Sequence, residues 1–283
     1  QRSDWRTEAC LEICSWLLCR SRSVQQFNKL HLYRCGNEEK MDINKKMDIN
    51  KKIDINKEMD AQEAADLYKV MEARHAVRSY QDKKIARETE KQLREEIRTC
   101  NREGGLSIQL ILNDKAAFNG LMARFGGFRG VSNYIALVGP DNDCSEEKLG
   151  YYGERIALKA QQLGLNTCWV AATYKKGKCS AAVGNHEKMA GVLALGYGTT
   201  QGAPHRSKEM EQLCKADRDM PQWFVSGMKA AMLAPTAMNK QDFLIELRGD
   251  DVAFQVKDDK YGRINMGIIK YHFHLGAALA GRP

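Results

Sequence analysis

After residue 60 the apolar and polar positions of this chain fall into two rhythms. "AQEAADLYKVMEA" (61–73) places Ala64, Leu67 and Met71 on one side of a helix. "ARETEKQLREEIRTCNRE" (86–103) is a second, highly charged helix with Leu93, Ile97 and Cys100 as its stripe. In "GGLSIQLILN" (104–113) Ile108, Leu110 and Leu112 alternate, which predicts a strand. "KAAFNGLMARF" (115–125) reads as a short helix, and "NYIALVG" (133–139) as a buried strand. The strongest helix is "EEKLGYYGERIALKAQQLGL" (146–165), with Gly153, Ile156, Ala160 and Leu163 on one face and Gly164 as its stop. "NTCWVAATY" (166–174) and "GVLALGYG" (191–198) are further strands. Residues 220–276 read helix, proline break, strand "DFLIELRG", strand "VAFQV", helix "NMGIIKYHFHLG". Helices mixed with two-sided apolar strands predict an α+β or α/β layered domain.

Before residue 60 the pattern is different. Residues 41–58 repeat a six-residue unit, "MDINKK MDINKK IDINKE". Six residues turn an α-helix through about 600°, so its apolar positions build neither a helical stripe nor a strand face. Residues 1–58 are therefore expected to be a low-complexity leader, with Met59 (or Met41 or Met47) a candidate start of the functional chain.

Composition narrows the classes. Hydrophobic residues at 43% and charged residues at 28% of 283 suit a globular protein. No apolar run reaches the roughly 18 residues of a membrane helix, so no membrane role is expected. The net charge of +8 is spread along the chain. Nucleic-acid binding would call for a clustered stripe, and none is expected here. A mildly basic balance also suits a phosphorylated cofactor. Nine cysteines without a C-x-x-C pair form neither a disulfide framework nor a zinc pattern, and suggest a cytoplasmic protein. Cys168 reads as a small buried hydrophobe.

Candidate chemistry lies in three places. "ARHAVRSY" sets Arg74 and Arg78 four apart around His75. Two guanidiniums so placed can address one anion, and they also suit a solvated helix end. "GYGTTQGAPHRSK" joins glycines to His205, Arg206 and Lys208 without matching a dinucleotide or Walker fingerprint, and is alternatively a flexible basic loop. In "LAPTAMNKQ" Pro235 breaks an apolar helix just before Thr236, Asn239 and Gln241. "HEKMA" lacks the second histidine of a zinc motif, and His272 and His274 of "YHFHL" fall on different helix faces, read as surface and interface chemistry with no metal site. No side chain stands out as a nucleophile, which favours chemistry carried by a cofactor.

Together these stretches resemble the FMN-dependent nitroreductase superfamily. "ARHAVRSY" is similar to its Arg-rich opening, and "ERIALKAQQLGLNTCWV" to its central helix and strand. "LALGYG…HRSK" is similar to its strand and basic tail, and "APTAMNKQ" to its flavin segment. "NYIALVG", "GYGTTQG" and "GMKAAMLAPTAMN" resemble a branch of uncharacterised nitroreductases of bacteria and archaea. The resemblance covers roughly residues 60–276 and implies an α+β, three-layer fold with a mixed, mainly antiparallel sheet covered by helices. In ordinary members the flavin segment follows the Arg-rich opening. Here it lies near the C-terminus, and "PQWFVSGMKAAMLAPTAMNKQDFLIEL" resembles a second copy of the family's first helix, flavin segment and first strand. The expected division is therefore a flavin-binding part over 59–219, a second half over 220–276 completing the site, and a tail over 277–283. Such a chain would be a monomeric pseudo-dimer, with a homodimer as the alternative.

The resemblance also implies site roles. Arg74 and Arg206 would hold the FMN phosphate with help from Lys208, while His75 and Ala76 would offer backbone. Arg78 would lie by the N1/O2 edge, where a cation stabilises the reduced, anionic ring. Trp169, Val170 and Ala171 would line the ring. Pro235, Thr236, Ala237, Asn239 and Gln241 would face the flavin and its ribityl chain. No residue is expected to be catalytic by itself: hydride would pass from NADH or NADPH to flavin N5 and on, ping-pong, to a small-molecule acceptor such as a nitroaromatic, quinone or flavin. Ala76 stands where the family has Ser, and Asp242 where it has Pro. Two other classes are a flavin-binding protein without turnover and a basic interaction protein without flavin.

Overall fold

A computed structural model of the chain describes residues 61–282, so the expected leader over 1–58 lies outside the described residues. The helices are α1 (Ala61–Ala73), α2 (Arg87–Gly104), α3 (Leu121–Phe125), α4 (Asp143–Gln162), α5 (Met210–Leu213), α6 (Gln222–Met232) and α7 (Gly262–Leu279). The strands are β1 (Gln109–Ile111), β2 (Asn133–Pro140), β3 (Asn166–Val170), β4 (Glu187–Gly196), β5 (Cys214–Ala216), β6 (Phe243–Arg248) and β7 (Asp251–Val256). One antiparallel sheet has the order β1-β2-β4-β3. A smaller one has the order β5-β6-β7, with β5 parallel to β6. The fold is α+β, with two sheets rather than one.

The elements follow the sequence pattern with instructive departures. Asn142 caps α4 by accepting from the Ser145 N–H. The stretch predicted as one strand over 104–113 contributes only three residues to β1. The Asn101 side chain occupies both backbone groups of Ile108, giving that segment a partner other than a strand. "KAAFNGLMARF" splits into a 3₁₀ turn (Ala116–Phe118) and α3, separated by Gly120 at a φ of 156°.

Helix α4 organises the packing. One side lies on β2, β3 and β4; another lies against α7, so it is buried nearly all round, from Leu149 to Leu158. Contact between α4 and α7 is close enough to require glycine. A Cβ on Gly150 would stand 2.1 Å from the Ile264 carbonyl oxygen, and one on Gly267 1.9 Å from that of Glu147. Helix α6 packs on α7, and Phe254 of β7 meets Phe273 of α7 edge to face at 5.2 Å. Ala230 and Tyr271, from the C-terminal part, share one apolar core with Leu93, Tyr151 and Ile156. The opposite face of the larger sheet carries a second core, built by Val77, Phe118, Phe128 and Tyr134 among others.

Gly267→Val should therefore push α7 off α4. The expected cost is about 3 kcal/mol, the upper end for overpacking a tight core. Gly177→Ala meets open space and should change stability little. Urea midpoints of the two variants check this, and equal midpoints would refute the backbone seam.

Candidate functional site

A buried carboxylate lies behind the candidate site. Glu154 of α4 is 0% exposed. It accepts hydrogen bonds from Trp169 Nε1 at 2.7 Å and pairs with His272 Nε2 at 3.0 Å. Arg74, 4% exposed, brings its Nε within 3.4 Å of the same carboxylate. The second nitrogen of His272 lies 3.1 Å from the Ala230 carbonyl. The segment after α1, helix α4, strand β3, helix α6 and helix α7 thus meet at one charge. Burial pushes the Glu154 carboxyl up, but the His272 hydrogen bond, the Arg74 charge and the indole donor outweigh it and hold it below the usual carboxylate range. His272 is 0% exposed, which corrects the sequence expectation of surface chemistry. Its neighbour His274 is pushed down to about 4 by burial and the Lys270 charge.

Around this knot the three sequence stretches converge. "RHAVRSY" runs along β3, which is an edge strand: Val77 N–H donates to Thr167 O, and Ala76 bridges Thr167 in parallel. The chain then turns to Arg129 and Gly198, the partners of Ser79 and Tyr80. Tyr80 donates its hydroxyl to the Val77 carbonyl at 2.6 Å. The glycine-rich loop folds back over the opening of this stretch. Gly202, at a φ of 78°, comes so near that a Cβ there would lie 2.7 Å from His75 Cβ.

The same loop grips the segment after α6. Gln241 Nε2 donates to the Met232 carbonyl, and its Oε1 accepts from the Lys208 N–H at 2.7 Å. Asn239 Nδ2 donates to the Arg206 carbonyl, and Lys208 Nζ reaches the Gln241 carbonyl. Met238, Asn239 and Gln241 all adopt positive φ, at 53°, 52° and 48°. For Met and Gln this backbone is strained, and such strain persists where the surroundings over-determine it. The segment from Pro235 is thus a built turn, fixed from both sides.

The family described as "Putative TM nitroreductase" matches residues 66–277. The chain belongs to it. A "putative nitroreductase" from Thermotoga maritima aligns in structure with a TM-score of 0.54, over 74% of this chain and 82% of that one, at 17% identity. One "in complex with fmn" from Desulfovibrio desulfuricans has a TM-score of 0.43, over 52% of this chain and 94% of that one, at 18% identity. At these identities the first supports the fold. No curated protein matches.

Within this family member the named residues divide into two sets. Arg78 and Arg206 are exposed and make no ion pair among the described residues. Ala76 and Ala171 are exposed, and Pro235, Thr236 and Ala237 are half-buried. Burial, then the adjacent Arg74 charge, lowers the pKa of the His75 ring. The other set is occupied within the fold. Arg74 is buried and turns its Nε to Glu154 as an ion pair, without hydrogen-bond geometry. The Trp169 indole is held by Glu154 and packs on Gly153, while Val170 joins the second core. Gln241 is buried with both ends of its amide engaged. Exposed Arg78 and Arg206, which make no ion pair among the described residues, fit a phosphorylated anionic cofactor, whereas Arg74 is committed to Glu154. Cys168 is buried and its thiol pushed up by burial, consistent with a packing role. Glu154 escaped the sequence reading, although a carboxylate beside Gly153 and Ile156, on the helix's buried face, was its one signal.

Glu154→Gln should cost about 3 kcal/mol by leaving Arg74 buried without its counter-ion. The folded carboxyl ionises at lower pH than the unfolded one. Its contribution is therefore complete above the ordinary carboxylate range and is lost as pH falls through and below it. Chemical denaturation from pH 7 to pH 3 should show the variant losing part of the wild-type acid limb. Parallel curves would refute the assignment.

Proposed function

We propose that this protein is an FMN-dependent NAD(P)H oxidoreductase whose flavin site is completed within one chain. The observation that carries the reading is the joining of His205–Lys208 to Met232–Gln241, with Gly202 laid against His75. Segments far apart in sequence thereby meet beside the stretch that pairs with β3, as a site shared between two subunits would. Residues 59–219 and 220–276 would be the two halves of a monomeric pseudo-dimer.

FMN, when bound, would supply two-electron redox chemistry between NADH or NADPH and a nitroaromatic, quinone or flavin acceptor. Binding and orientation fall to the protein. Arg206 is the free cation for the phosphate. Lys208 already holds the Gln241 carbonyl and lies 3.4 Å from Asp242, so it serves by fixing the loop. Arg74, buried against Glu154, anchors the segment that presents His75 and Ala76. Arg78 supplies positive charge where the reduced ring becomes anionic. Trp169 and Val170 offer backbone, Ala171 an open strand end, and Pro235 to Asn239 the wall for the ribityl chain. Gln241 holds that wall in shape. The partners are small molecules, and the setting is the cytoplasm. A flavin-binding protein without turnover is the second reading, favoured by Ala76 and Asp242 in place of Ser and Pro.

Purified protein should be yellow and should bleach on anaerobic addition of NADH or NADPH. A yellow protein that neither donor bleaches would select the second reading. Light scattering should give a monomer carrying one FMN, whereas an obligate dimer sharing ligands across its interface would refute the single-chain site. Arg206→Gln should weaken FMN about tenfold, the worth of one charge-assisted hydrogen bond. Its affinity for riboflavin, which lacks the phosphate, should barely change.

A further inference from the structure

On the side of the Arg74–Tyr80 segment carrying Arg78 lies a cleft of about 480 Å³, within the range of small-ligand pockets. Its lining comes from Phe118 to Gly130, including Phe118, Arg124, Phe128 and Arg129. Phe118 and Phe128 belong to the second core and are only 8% and 5% exposed; they meet edge to face at 5.3 Å and give the cleft a narrow aromatic floor. Two further cations approach through glycines. A Cβ on Gly127 would lie 3.6 Å from Arg78 Cδ, and one on Gly120 2.9 Å from Lys175 Nζ.

The charge here is one-sided. No Asp or Glu occurs between Lys115 and Gly139, nor between Cys168 and His186. The nearby carboxylates are already engaged. Asp82 pairs with Lys115, and Asp114 accepts from the hydroxyls of Tyr134 and Ser180. Among the described residues, Arg78, Arg124, Arg129 and Lys175 make no ion pair. Four cations around an aromatic cleft repel one another unless an anion joins them. The cleft also adjoins the proposed flavin site. Gly127 meets Arg78, and a Cβ on Gly126 would stand 2.6 Å from the hydroxyl of Thr173, two residues beyond Ala171.

We infer that this cleft receives the electron acceptor, and that Arg124 and Arg129 make it prefer an aromatic acceptor bearing a carboxylate or similar oxyanion. The inference rests on the flavin reading above and adds to it the charge class of the substrate. Aromatic bodies pack on Phe118 and Phe128 while the guanidiniums take the anionic end.

The test compares 4-nitrobenzoate with 4-nitrobenzamide, an uncharged molecule of nearly the same shape. Isothermal titration calorimetry on the FMN-loaded full chain should show the carboxylate binding about tenfold more tightly at low salt. The preference should shrink in 0.5 M salt, where exposed charges are screened. In R124Q/R129Q the ratio of the two affinities should fall towards one. The amide affinity and the flavin absorbance of the variant report whether it is folded. Equal affinities in an FMN-loaded wild type would overturn the inference and leave the flavin reading standing, as would a preference that survives in the double variant. A chain that takes up no FMN would overturn both.

Discussion

The Glu154 carboxylate is the interaction on which the rest of this structure depends. A buried, unpaired carboxylate is expensive, so the fold must bring partners to it. It does so from different parts of the chain: Arg74 after α1, Trp169 from β3 and His272 from α7. Each is held in one orientation by the need to satisfy the same charge. The C-terminal half is thereby fixed to the first by chemistry as well as by apolar contact. Glycine seams let this happen, because Gly150 and Gly267 allow α4 and α7 to approach closely enough for His272 to reach Glu154.

That frame sets the geometry of the surface above it. With Arg74 anchored below, Ala76 and Val77 pair with Thr167 on the edge of β3, and Ser79 and Tyr80 are held by Arg129 and Gly198. The loop over it cannot float, because Lys208 and Arg206 are bonded through their backbones to Gln241 and Asn239. The strained turn from Met238 to Gln241 is stabilised by those bonds, and strain offset in this way is common where a ligand must be met by a particular shape. Division of labour follows: buried polar groups hold the scaffold, and exposed Arg78 and Arg206 remain available to an anion.

Charge is distributed by the same logic. Among the described residues many ion pairs join helical residues, such as Arg155 between Glu96 and Glu103. The stretch from Lys115 to Gly130 has no acid of its own; Lys115 pairs with Asp82, while Arg124 and Arg129 make no ion pair among the described residues. Positive potential is therefore concentrated beside the β3 edge, where a reduced flavin and an anionic acceptor would both benefit from it.

The sequence by itself determined the longer helices and most strands, because their apolar periods are long and consistent. α1 and α4 lie where their stripes predict, and the proline after α6 marks the end of that helix. It also marked the three candidate stretches, since each combines unusual residue types in a short span. Tertiary structure decided which of those side chains remain free. Arg74 and Arg78 are equivalent in sequence, yet one turns to a buried carboxylate and the other to the surface, because only Arg74 lies beside α4. Asparagine at 101 shortened β1 through a long-range contact that periodicity cannot register. Gln241 reads as a ligand-facing amide and His272 as surface or interface chemistry, but both are buried within the fold. A one-dimensional pattern records which residues prefer water; it does not record which will meet a partner good enough to replace it.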